Sequence, residues 1–234
     1  MSTPSRVAGW GTVGFAVAFV VTFVVNATIE TMADRPELPT AADMAADFGG
    51  GVIYIVLWGS AGVALAVAAV GLSAVVWPSD ALASRISTAF GIIASAGWIF
   101  SGATVLAQRT AMLNGNIAAA GSDIASERAV IEALYIGVHV GGIVFAFAAL
   151  PWLATVAVGA DKRRAMSRTA VACLWIAAIG PVAGFMIAGA QFGLLAVVPA
   201  FAVVGTSLLR SARRGGRRAV AGSPAAAVAP AAGG

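Results

Sequence analysis

The chain has 234 residues, of which 60% are hydrophobic and only 10% are charged, and its mean hydropathy is +0.93. An ordinary soluble domain carries about 25% charged residues, so this composition argues against a water-soluble monomer. The formal net charge is +4, and its distribution along the chain is uneven. The single cysteine, Cys173, excludes an internal disulfide and a dithiol redox centre.

Long tracts of the sequence contain no charged residue, and each is long enough for a bilayer, which takes about 20 apolar residues. They run between Arg6 and Glu30, Asp47 and Asp80, Arg85 and Arg109, Glu132 and Asp161, and Arg168 and Arg210. A single helix over the last tract would be about 60 Å long, so we divide it into two helices that meet at the sequence AGAQFG, residues 188–193.

The sequence therefore predicts an all-α, polytopic membrane protein, a bundle of six transmembrane helices within residues 1–210. The predicted spans lie near 7–29, 50–76, 86–107, 131–158, 169–188 and 192–209. Lipid offers no hydrophobic drive for helix association, so close packing depends on small residues. The 28 glycines of the chain fit this requirement.

The charges predict the orientation of the bundle. With six spans, one side of the membrane receives 11 of the 14 basic residues and 2 of the 10 acidic residues, and the other side receives 3 and 8. Lys and Arg in short loops remain on the cytoplasmic face. We therefore expect a multi-pass protein of the plasma membrane with both termini in the cytoplasm.

Residues 211–234 are predicted to form a basic, disordered cytoplasmic tail. Its arginines directly follow a helix, where each contributes about 1 kcal/mol to attraction by anionic lipid headgroups. This position favours lipid contact over binding of nucleic acid, which we do not expect. Residues 219–234 contain small residues and prolines without charge, a composition typical of disorder.

The residue counts exclude several membrane chemistries. A retinal protein needs a lysine within a helix, but the only lysine, Lys162, lies in a predicted loop. One histidine can supply neither a bis-histidine haem site nor an intramembrane zinc site. We predict no catalytic residue, no cofactor and no metal site. Lipid-modifying chemistry that needs very few polar residues is the one enzyme class left open.

Two helix faces carry the polar residues of the third and fourth spans. At 100° per residue, one face of the fourth span holds Arg128, Glu132, Tyr135, His139, Gly142 and Ala146. By the same spacing, one face of the third span holds Gly91, Ser95, Trp98, Gly102 and Arg109. We expect both faces to point inward and to meet each other.

The candidate polar site consists of Glu132, Tyr135, His139 and Arg109. Ionisable groups at membrane depth are costly and usually face the bundle interior, which makes them candidates for function. We expect partial burial of His139, as a neutral imidazole that is hydrogen-bonded within the packing. The alternatives are a proton-responsive or ligand-binding pair of His139 with Glu132 in an outward vestibule, and contact with lipid headgroups.

A charge pair is expected at the outer rim of these faces. Arg109 and Glu132 each end an uncharged tract, so they should lie at similar depth and face each other. We predict that their charged atoms are within hydrogen-bonding reach, or that one of them pairs instead with Arg128, Glu30 or Asp34 of the same rim.

The chain resembles the domain of unknown function 4386 family. The resemblance covers about residues 5–210 and rests on the six-span layout, the acidic outer loops, SRVAGW before the first span and KRRAMSRTAVACLWIAAIGPVAG entering the last helix pair. It implies a bacterial integral protein of the inner membrane. It implies no particular activity and transfers no site residue.

Two functions follow from these expectations. The first is a non-enzymatic, membrane-embedded interaction or sensing component with a possible membrane-protein partner. The second is a small transporter or channel that uses the polar face around Glu132 and His139. A water-accessible cavity between the third and fourth spans that reaches His139 favours transport, whereas a closed bundle packed through glycine and alanine favours the first function.

Overall fold

A computed structural model describes residues 3–32, 48–114, 124–188 and 190–221, and within these ranges every regular element is an α-helix. The helices are α1 (Thr3–Met32), α2 (Phe48–Val76), α3 (Ala81–Leu113), α4 (Ile124–Lys162), α5 (Arg168–Ala188) and α6 (Ala190–Ala221). The predicted all-α class is confirmed for the described residues, and each predicted span lies within one of these helices.

Five of the helices are long and apolar enough to cross a membrane, as expected of a helical membrane protein. In α5 the apolar segment found among the described residues is Arg168–Gly184, and the helix itself continues to Ala188. Helix α5 has 21 residues and its neighbour α4 has 39. At 1.5 Å per residue, α5 is about 30 Å long and α4 about 60 Å, so α4 extends well beyond the end of α5.

The six helices form a closed ring. Each helix packs mainly against its neighbours in the chain, and α1 closes the ring by packing against α6. Small residues make the contacts between α1 and α2 close: a Cβ on Gly11 would lie 2.7 Å from Cα of Ala68, and one on Gly71 would lie 2.6 Å from Cα of Ala8. The two backbones therefore touch, as expected for helices that pack in lipid.

The surface of the ring is apolar and its interior contains hydroxyl groups, the reverse of a soluble bundle. Large side chains that are more than half exposed lie on several helices, among them Val17, Phe23, Val56, Val63, Phe147 and Ile176. Buried polar side chains include Thr12, Ser73, Ser87, Ser95 and Ser101. An exposed apolar belt of this extent marks a surface that contacts something other than water, and lipid is the solvent that fits.

Local signals fix the helix ends on the basic side of the ring. Asp80 caps α3, because its Oδ1 accepts a hydrogen bond of 2.9 Å from the backbone N–H of Ala83. Helix α4 ends in a Schellman motif: the N–H of Ala165 donates to O of Ala160 at 2.9 Å, and that of Arg164 to O of Asp161 at 3.1 Å. Arg164 has a φ of 52° at the position where glycine is usual.

The basic segment after the last span corrects one expectation. Helix α6 continues to Ala221, whereas we predicted disorder from residue 211. The segment is rich in Ala and Arg, which are strong helix formers, and its positive charges lie at the C-terminal end of the helix, where the dipole favours cations. Residues 222–234 lie outside the described part of the chain.

Candidate functional site

The predicted inward face of α3 is buried. Gly91, Ser95, Trp98, Gly102 and Arg109 all lie among the buried residues of this helix. The 3.6-residue spacing of small and polar residues therefore identified the correct face. Met112, near the same face, and Gln108, about 100° around the helix from Arg109, are also buried.

Helix α3 meets α4 through two glycines, Gly97 and Gly141, that lie outside the predicted faces. A Cβ on Gly97 would lie 2.9 Å from the backbone N of Phe145, and a Cβ on Gly141 would overlap O of Gly97 and Oγ of Ser101. Helices α3 and α4 are adjacent, but this contact is not between the two predicted faces: Gly97 lies about 120° from Gly91 around α3, and Gly141 about 160° from His139 around α4. Because the backbones touch there, no cavity separates the two helices at Gly97 and Gly141.

An aromatic cluster fills the axis of the ring. The ring of Trp98 has its centroid 5.7 Å from that of Phe15, 5.5 Å from Phe19, 5.6 Å from Trp58 and 5.6 Å from Phe145, all in edge-to-face geometry. These side chains come from α1, α2, α3 and α4. Edge-to-face contacts at 4.5–7 Å are the favourable arrangement of aromatic pairs, so the cluster joins four helices across the interior.

The cluster continues toward the basic end through α6. Phe201 lies 5.4 Å from Phe15 and 6.2 Å from Trp152, centroid to centroid. Within the described part of the chain, the buried indole N–H groups of Trp58, Trp98 and Trp152 have no hydrogen-bond partner. These rings therefore pack as apolar groups in the interior of the bundle.

The buried hydroxyl groups are used to join helices. Oγ of Ser95 donates to O of Gly62 on α2 at 2.9 Å, and Oγ of Ser73 on α2 donates to Oγ of Ser87 on α3 at 2.9 Å. Hydrogen bonds of this kind hold membrane helices together. The hydroxyl groups of the α2–α3 seam are thus structural and do not line a route for a solute.

The C-terminal end of α3 buries a charged residue. Arg109 is only 6% exposed, and its side chain crosses α2 at Gly51, where an added Cβ would lie 2.7 Å from Cγ of Arg109. Because Gly51 has no side chain, the aliphatic part of Arg109 can pack directly against α2 at this position. Beside it, Gln108 is buried and its Nε2 has no partner among the described residues. Sequence reasoning missed Gln108, although it directly precedes Arg109.

Two members of the candidate site, Glu132 and Tyr135, lie outside the described side chains. Glu132 and Tyr135 belong to α4, but their side-chain positions are not described. The predicted Arg109–Glu132 contact therefore stays a prediction. The same holds for Arg128, at the start of the α4 face.

His139 corrects our expectation of partial burial, because its side chain is exposed. Ala146 and Ala157 lie within about 20° of His139 on α4, and both are buried. The side of α4 that carries His139 is therefore covered by packing nearer the basic end of the ring. Burial on this side of α4 therefore differs with depth, which the spacing along α4 does not show.

The opposite end of the ring is strongly basic. Exposed charges there include Arg6, Arg85, Lys162, Arg163, Arg164, Arg168, Arg210, Arg213 and Arg214. Arg163 fixes the α4–α5 turn against the α2–α3 turn, because its guanidinium lies 4.9 Å from the ring centroid of Trp77 and Nη1 donates to Oγ of Ser79 at 3.4 Å. A cation over an indole ring contributes about 0.5–1 kcal/mol at an exposed position.

The described geometry brings no cofactor ligands together. In residues 3–32, 48–114, 124–188 and 190–221, no three His, Cys, Asp or Glu side chains are placed to share a metal ion. Fold and site together define an all-helical bundle of the membrane-protein type in which the described helices pack closely through glycines and aromatic rings. Comparisons with family models, with curated proteins and with solved structures find no match for the chain.

Proposed function

We propose that this chain is a six-span protein of the plasma membrane that acts, without catalysis, as a membrane-embedded interaction or sensing component. The observation that carries the proposal is the filled ring: α3 and α4 touch at Gly97 and Gly141, and Trp98 and its aromatic neighbours occupy the axis. A transporter needs a route between or through the helices, and this packing supports a role that needs none.

The proposed orientation places both termini in the cytoplasm. The exposed arginines and lysine at one end of the ring support it, because basic residues remain on the cytoplasmic face. A reporter that is active only in the periplasm should be silent when fused after Arg210 and active when inserted in residues 30–49. The opposite pattern would overturn the orientation, and equal activity at both sites would overturn the six-span count.

The proposed partners are a membrane protein and anionic lipid. The six-span layout and the sequences quoted above also support membership of the domain of unknown function 4386 family and a bacterial inner-membrane location, which we include in the proposal. Affinity purification from native membranes into lipid nanodiscs, followed by proteomics and lipidomics, tests the partners. A defined protein or lipid that co-purifies in stoichiometric amount is the expected result.

The rival function is a small transporter or channel at the outer end of the ring. Its support is the exposed His139 on α4. Proteoliposomes loaded with a pH-sensitive dye test it directly. We expect proton flux no greater than that of empty liposomes; flux that the variants His139→Ala and Glu132→Gln abolish would favour the rival.

A further inference from the structure

A pocket opens between α1 and α6 at the basic end of the ring. Its lining consists of Arg6 and Trp10 of α1 with Leu209, Ala212 and Arg213 of α6, and its volume is about 210 Å³. It therefore lies at the seam that closes the ring. Two arginines, one from each of two helices that are far apart in the sequence, are among the residues that line the same small space.

Helices α1 and α6 are in close contact next to the pocket, at Gly9 and Gly205. A Cβ on Gly9 would lie 2.7 Å from Cγ of Leu209, and a Cβ on Gly205 would lie 2.9 Å from O of Gly9. The helix backbones touch at Gly9 and Gly205 and leave a gap one to two turns closer to the basic end. The packing of Leu209 against Gly9 sets the apolar floor of the gap.

The charges of the pocket lie at headgroup depth. Arg6 directly precedes the uncharged tract of α1, and Arg210 and Arg213 follow the uncharged tract of α6. Trp10 is 62% exposed, and tryptophan is enriched where hydrocarbon meets headgroups. The pocket thus combines two cations for a phosphate, an apolar floor and an interfacial indole.

We propose that this pocket binds the phosphate group of one anionic phospholipid, held by Arg6 and Arg213, with its glycerol and upper acyl carbons against Trp10 and Leu209. Arginine suits this ligand because its planar fork donates two parallel hydrogen bonds to phosphate oxygens. The shared chemistry is a phosphate anion; the exposed indole and the depth of the charges assign it to a lipid. The inference rests on the membrane placement proposed above, but not on the interaction role.

Lipid binding to the full chain in nanodiscs or mild detergent, followed by native mass spectrometry, tests the site. The probes are phosphatidylglycerol, cardiolipin, phosphatidylcholine and inorganic phosphate alone. The test variant is Arg6→Gln with Arg213→Gln. The matched control is Arg85→Gln with Arg168→Gln, which removes the same charge from exposed positions at the same end but outside the pocket.

We expect the anionic lipids to bind in preference to phosphatidylcholine. The pocket variant should lose about 25-fold in affinity, from about fivefold per arginine, and the control should lose less than about threefold. The double variant Arg6→Lys with Arg213→Lys keeps the charge and should bind within a few-fold of the wild type. Thermal unfolding of all three variants is measured alongside. A variant that unfolds at the wild-type temperature but binds less lipid has lost the site and not the fold.

Three outcomes would overturn the site. They are equal binding of phosphatidylcholine, equal losses in the pocket and control variants, and binding of inorganic phosphate as strong as that of the lipids, which would assign the pocket to a soluble phosphate. A chain that does not enter nanodiscs would contradict the membrane placement instead. The failures of the two proposals are thus distinguishable.

Discussion

Replacement of Trp98 by alanine tests whether the aromatic cluster holds the bundle together. Trp98 is 6% exposed and makes four edge-to-face contacts with rings of three other helices. In lipid the unfolded helices are already in an apolar solvent, so the transfer part of the usual penalty falls away and the cavity part remains. At about 24 cal/mol per Å³, a residual cavity on the order of 100 Å³ costs about 2.4 kcal/mol.

The lost aromatic contacts add to this cost. Pairs of this geometry contribute about 0.5–1.5 kcal/mol each beyond their area, but part of that is already counted in the cavity. We therefore expect Trp98→Ala to lower the free energy of unfolding by about 3 kcal/mol. Trp98→Phe should cost less than about 1.5 kcal/mol, because it keeps an aromatic ring and because the indole N–H has no partner to lose.

A thiol-reactive dye supplies the assay, since Cys173 is the only cysteine and is partly buried. Thermal unfolding in detergent without added lipid exposes the thiol, and a loss of 3 kcal/mol lowers the midpoint by about 6–12 °C for a chain of this size. The matched control is Trp10→Ala, at an exposed tryptophan. Equal midpoints for Trp98→Ala and Trp10→Ala would refute the view that the axial cluster stabilises the ring.

The same dye assay tests two other positions, and a charge cycle tests a third. Arg164→Gly should raise the free energy of unfolding by about 1 kcal/mol, because glycine adopts a φ of 52° without the penalty of a Cβ; a loss of stability would contradict this reading of the α4 end. Ser95→Ala should cost about 0.6–1 kcal/mol through the lost bond to Gly62, whereas Ser60→Ala, at an exposed serine bonded to its own helix, should cost less than half as much. A double-mutant cycle of Arg109→Gln and Glu132→Gln should give a coupling free energy above about 1 kcal/mol, the upper limit for exposed pairs, because Arg109 is buried; additive effects would show that the two residues do not pair.

The sequence predicted the helices and one packing face well, because these depend on local information. Charged residues mark the ends of the apolar tracts, and the spacing along α3 carries the direction of its buried face from Gly91 to Arg109. The exposure of the His139 side chain could not be predicted from the spacing along α4. It depends on what packs against α4 at that depth, and the periodicity of α4 does not contain that information.

The axial cluster was missed for a related reason. Phe15, Trp98 and Phe145 are separated by long stretches of sequence and belong to three helices, so no local pattern joins them. Aromatic residues were also present on the exposed face, such as Phe147. Only the ring arrangement of the helices distinguishes the two sets.

The closure of the ring by α1 and α6 has a consequence for biosynthesis. Helices α2 to α5 each pack against the helix made just before, so they can assemble in the order in which they leave the ribosome. The second seam of α1, at Gly9 and Thr12, meets its partner Gly205 only after almost the whole chain has been made. Until then α1 presents an open edge to lipid. A nascent or truncated chain without α6 is therefore an unfinished ring, distinguishable from the mature protein by that edge.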